Sequence, residues 1–63
     1  NPNGIDANYF YAEYLFEQGR YPESLQYLDK AGKAAPRPGR EAADKGRRGE
    51  IATLAAKVKA KMS

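Results

Sequence analysis

Two carboxylates, Glu13 and Glu17, stand four residues apart. On a helix that spacing makes them neighbours on one face, as an acid–base pair or a metal site would require. The rest of the chain gives them little to work with. It has no histidine and no cysteine, so the commonest acid–base group and the strongest side-chain nucleophile are both missing. No zinc-ligand pattern occurs, and no run of oxygen-bearing residues has the spacing of a calcium loop. The stretches RPGR (37–40) and GRRG (46–49) lack the GKS or GKT that a phosphate-binding loop carries after a strand. Glu13 and Glu17 therefore read as a solvated face. No catalytic residue, metal or cofactor is expected, and the chain reads as a non-enzyme.

The basic residues are the next candidates. Arg37, Arg40, Arg47 and Arg48, with Lys57, Lys59 and Lys61, could contact phosphates. Residues 1–36 hold three basic and five acidic residues, and residues 37–63 hold eight and three, so net charge changes from −2 to +5 along the chain. All seven aromatics, however, lie in residues 9–27. None interleaves with the basic half to form a stacking platform, which argues against nucleic acid. Binding of nucleic acid or another polyanion through the C-terminal segment stands as the alternative function.

Three segments must position these groups, and each reads as a helix. In the first, Tyr11, Leu15 and Gln18 recur at helical spacing with Ala7, Asn8 and Ala12 beside them. Tyr9, Phe10, Glu13, Phe16 and Glu17 fall largely on another side. Asp6 is expected to cap this helix, with Ile5 stapled from outside onto Tyr9 or Phe10. Gly19 is expected to end it, because glycine enters the left-handed region without steric cost. This places the first helix at about 6–18. The second is placed at about 22–34, with Pro22 in its first turn, Glu23 near its start, and Lys30 and Lys33 near its end. Leu25, Leu28 and Ala31 form its apolar stripe, and Pro36 stops it. Residues 37–41 read as a linker, since the neighbouring prolines and Gly39 block a continuous helix. A third, amphipathic helix is placed at about 42–61 on the stripe Ile51, Leu54, Ala55, Val58 and Met62. Gly46 and Gly49 each weaken its first half by about 1 kcal/mol.

Helix, Gly19-x-Tyr21, helix, Pro36 resembles a tetratricopeptide repeat (TPR). Tyr11 and Ala12 match the family's large-then-small pair, and Leu15 its next large position. Gly19 and Tyr21 match the turn, and Ala31 and Pro36 match directly. Ser24 stands where a small alanine is usual, and Leu28 where an aromatic or large apolar residue is usual. Asn8 departs from the usual tryptophan, which weakens the expected packing at the start of the first helix. The resemblance covers about half the chain. Its physical basis is close approach: Ala12 and Ser24 are small, and Tyr11, Leu15, Leu25 and Leu28 fill the space around them. Tyr21 packs back across the turn.

The resemblance implies an all-α fold: a TPR-like antiparallel helical hairpin over 1–36 and a capping helix over 42–63. It implies one small domain taken from a longer, bacterial-type repeat protein, and the missing initiator methionine agrees with a processed or excised segment. It also implies a groove lined by the first helix, with Tyr9, Glu13, Phe16 and Glu17 facing it and Phe10 and Asp6 at its edges. Aromatic anchors beside carboxylates suit a protein or peptide partner with apolar and basic groups. The same face could instead pack on a neighbouring repeat of the chain. A hairpin this small buries too little surface alone, so a homo-oligomer is a further expectation. Relatives that clamp a terminal carboxylate use lysine and asparagine where Tyr9 and Phe10 stand, so that mode is not expected. The function expected is therefore a protein–protein interaction or scaffold module. No apolar run approaches the roughly 20 residues that span a bilayer.

Overall fold

Gly19 is where the chain reverses. The structure, a computed structural model, describes residues 4–34 and 38–63. It contains three helices: α1 (Ile5–Glu17), α2 (Tyr21–Gly32) and α3 (Glu41–Met62). At the end of α1, Gly19 takes φ +77°, its N–H donates to the Phe16 carbonyl at 3.0 Å, and the Arg20 N–H donates to the Leu15 carbonyl at 2.9 Å. These two bonds satisfy carbonyls that a helix end leaves free. α2 starts within two residues, with Pro22 in its first turn. Arg20 Nε donates to Glu23 Oε1 at 2.8 Å across that start. This hydrogen bond draws the Glu23 carboxyl below the ordinary glutamate value and raises the Arg20 guanidinium in turn.

The all-α hairpin closes where it was expected to. Ala12 and Ser24 are both fully buried, and Leu15, Leu28 and Ala31 are buried around them. Tyr21 packs back on Phe16, with ring centroids 5.7 Å apart. Tyr11 differs from expectation. It is 43 % exposed and lies edge-on to Tyr27 at 4.6 Å, outside the core. Asn8, polar where a large apolar side chain would pack, is buried. Its Nδ2 donates to the Gly4 carbonyl at 2.9 Å, which ties down the first turn.

α3 lies chiefly against α2 and touches α1. Ile51, Leu54 and Val58 are buried in a core shared with Ile5, Tyr9, Ala12, Leu28 and Ala31, and Ala55 packs at its edge. Each such aliphatic side chain contributes about 1.5–3 kcal/mol when fully buried. Met62, the last residue of the expected stripe, stays half exposed.

Each helix boundary lies within two residues of its expected place. The exceptions are informative. Gly4, not Asp6, is the N-cap of α1, and no side chain caps it. Asp6 lies inside the first turn, where its carboxylate is turned to α3. Ile5 is likewise inside the helix and buried in the core, not stapled from outside. α2 stops at Gly32, short of 34, where the Ala34 N–H bonds the Ala31 carbonyl at 3.3 Å and tightens the turn. α3 begins at Glu41 and runs unbroken through Gly46 and Gly49. Packing of its later half outweighs the glycine penalty. The expected stop at Pro36, and Arg37, lie outside the described residues.

Candidate interaction surface

The five residues expected to meet a partner are all on α1, but they do not form one surface. Phe10, Glu13 and Glu17 are exposed. Their spacing of three and seven residues keeps them on one face. Phe16 is half-buried against Tyr21 and the core. Tyr9 is a correction: it is buried, with 7 % exposure, and so is not an open anchor. Helix α3 covers it. Burial first, then the Glu13 and Glu50 carboxylates, push the Tyr9 phenol above its ordinary pKa.

Arg47 of α3 produces much of this arrangement. Its guanidinium lies 4.9 Å from the Tyr9 ring centroid and 4.7 Å from that of Phe10. Its Nε donates to Asp6 Oδ1 at 3.0 Å, and one terminal nitrogen donates to Glu50 Oε1 at 3.0 Å. A cation over aromatic faces and between two carboxylates is held from several directions. Arg48 reaches the other way. It donates to the carbonyls of Gly32 and Ala34, the latter at 3.0 Å, at the C-terminal end of α2. That is the end of a helix dipole where a cation is favoured.

Two of the four arginines considered for phosphate contact are thus engaged within the chain. Arg40 is exposed, as are Lys45, Lys57, Lys59 and Lys61. Charge pattern alone marked a basic run. It carried no signal that adjacent arginines would reach two different helices.

Two open clefts flank α3. One, of ≈ 540 Å³, lies between α1 and α3; Tyr9, Glu13, Glu50 and Lys57 line it, with Gly46 and Gly49 along one wall. The other, of ≈ 510 Å³, lies between α2 and α3. Leu25, Leu28, Ile51 and Ala55 form its apolar floor, and Lys33 and Lys59 stand on its walls. Asp29 bonds Lys33 at 3.1 Å, but both side chains are largely exposed. Among the described residues, Glu13, Glu17 and Lys59 make no ion pair.

A separate aromatic patch covers another flank of α1. Tyr11 and Tyr14 stack with centroids 5.9 Å apart, and Tyr27 of α2 adjoins them with Lys30 over its ring at 4.5 Å. Tyr11 lies about 200° round the helix from Tyr9, while Tyr14 stands four residues from Phe10 and borders its face.

Fold and surface together define a small all-α bundle: a helical hairpin with a third helix strapped across it. No family model, curated protein or solved structure matches the chain. No helix among the described residues is long and apolar enough to cross a membrane.

Proposed function

We propose that the chain is a non-catalytic protein–protein interaction or scaffold module. In this reading the hairpin is a tetratricopeptide-type repeat and α3 is the helix that closes the end of an array. The buried Ala12–Ser24 contact and the Gly19 turn support the repeat reading. One observation carries the functional reading. Phe10 is 51 % exposed on α1, beside carboxylates Glu13 and Glu17 that make no ion pair among the described residues. An exposed aromatic flanked by free carboxylates fits a partner with apolar and basic groups.

The test is a nuclear magnetic resonance titration with a panel of synthetic peptides, some combining leucine or phenylalanine with arginine or lysine. Those peptides should shift the amides of Phe10, Glu13 and Glu17, and Phe10→Ala should remove the effect. Single-stranded DNA serves as the competing probe. If DNA binds with steep salt dependence and shifts only the lysine-bearing turns of α3, while no peptide perturbs α1, the polyanion alternative replaces this reading.

A further inference from the structure

We propose that the α2–α3 cleft is the seat for α1 of a second copy of this chain. This rests on the reading of the Phe10, Glu13 and Glu17 face as the partner surface, and it names that partner.

The two surfaces have complementary chemistry. The cleft has a floor of Leu25, Leu28, Ile51 and Ala55, with Lys59 on the α3 side and the Asp29–Lys33 pair on the α2 side. The α1 face offers the exposed Phe10 ring, with the Arg47 guanidinium 4.7 Å from its centroid, and two carboxylates on the same helical side. Phe10 supplies the apolar group for the floor, and Glu13 and Glu17 supply anions for the walls. Lys59 is the decisive cation, because Lys33 already has Asp29 beside it. Among the described residues the Lys59 side chain pairs with nothing. The larger aromatic patch of Tyr11, Tyr14 and Tyr27 is a poorer match for this cleft. Lys30, over the Tyr27 ring, would meet Lys33 and Lys59 with like sign.

The cleft and the α1 face are different parts of one molecule. Their pairing is therefore heterologous, and each bound copy leaves a free cleft at one end and a free α1 face at the other. Association should be weak, since the contact is small, and should grow beyond dimers as concentration rises.

Sedimentation equilibrium up to about 1 mM tests this, the range where weak pairing becomes visible. The wild-type average mass should rise with concentration and fall back as salt is added. Lys59→Glu should weaken association about tenfold or more, and so should the double change Glu13→Lys with Glu17→Lys. An equimolar mixture of the two charge-reversed proteins should associate again, because the first keeps an unaltered α1 face and the second an unaltered cleft, and the two reversed surfaces also attract. Circular dichroism checks that both remain folded, and Phe10→Ala provides an uncharged variant that should also weaken pairing. A wild type that stays monomeric, reversed variants that associate unchanged, or a folded mixture that stays monomeric would each overturn the proposal. If the chain is monomeric while peptides still perturb α1, the second-copy pairing alone fails. If α1 is inert as well, both readings fail.

Discussion

The hydroxyl of Ser24 donates a 2.7 Å hydrogen bond to the carbonyl oxygen of Ala12, twelve residues away and across the hairpin. Both residues have no exposed surface. The bond joins α1 to α2 inside the hairpin, and it needs a side chain that is both small and polar. Ser24→Ala keeps the size and removes the donor, so it should cost about 1 kcal/mol. Ala12→Leu keeps the apolar character and forces the helices apart, so it should cost about 3 kcal/mol or leave the hairpin unfolded. Urea unfolding followed by circular dichroism would rank the two. Equal losses would mean that size has no special role at this contact.

Gly19 should tolerate side chains poorly for a different reason. A Cβ there would meet nothing within 4 Å, yet the backbone sits at φ +77°. Gly19→Ala should therefore destabilise by about 1–2 kcal/mol through backbone conformation alone. Gly19→Asn should cost less, since asparagine enters the left-handed region more readily. The thermal midpoints of the two variants give the comparison.

Arg48 should be irreplaceable by lysine. Its guanidinium bonds two carbonyls, those of Gly32 and Ala34. An ammonium is a point charge and lacks the planar fork for both. Arg48→Ala and Arg48→Lys should each cost about 1 kcal/mol and increase hydrogen exchange in α3 before α1 and α2 are affected. Equal protection of all three helices in the Arg48 variants would count against this account.

Acid should loosen the turn between α1 and α2. The Arg20 hydrogen bond holds the Glu23 carboxyl below its ordinary value. The ionised form is thus favoured by folding. Its contribution is fully present above the unfolded glutamate pKa and disappears as pH falls through the lower folded value. A carbon-detected titration should show Glu23 protonating later on acidification in wild type than in Arg20→Ala. Identical curves would remove the pair from any account of the turn.

The hairpin was legible because its determinants are local. Gly19 and Pro22 act through neighbours a few residues away, Ala12 and Ser24 meet across one short turn, twelve residues apart, and hydrophobic period placed three helices. The stripe through Ile51, Leu54 and Val58 outweighed two glycines for the same reason. The candidate surface was only half legible. Tyr9 and Glu13 sit four apart on α1, and their common face gave no sign that α3 would cover the first and leave the second open. The Asp6–Arg47 pair spans 41 positions, beyond the reach of any short-range pattern. A basic run looks the same whether its arginines face solvent or another helix. Tyr11 likewise matched a packing position by type, while its exposure depended on what lies beyond the hairpin's outer flank.

Arg47 and Arg48 are consecutive, so their side chains leave the helix about 100° apart. One is anchored on α1 and the other on the end of α2. An apolar stripe alone would let α3 roll about its long axis, since oily contacts have little directional preference. The paired anchors remove that freedom, as two pegs stop a cylinder from turning in its cradle. Inserting a single alanine between Gly49 and Glu50 would put pegs and stripe out of phase by about 100°. Either the guanidiniums or Ile51, Leu54 and Val58 would then have to let go.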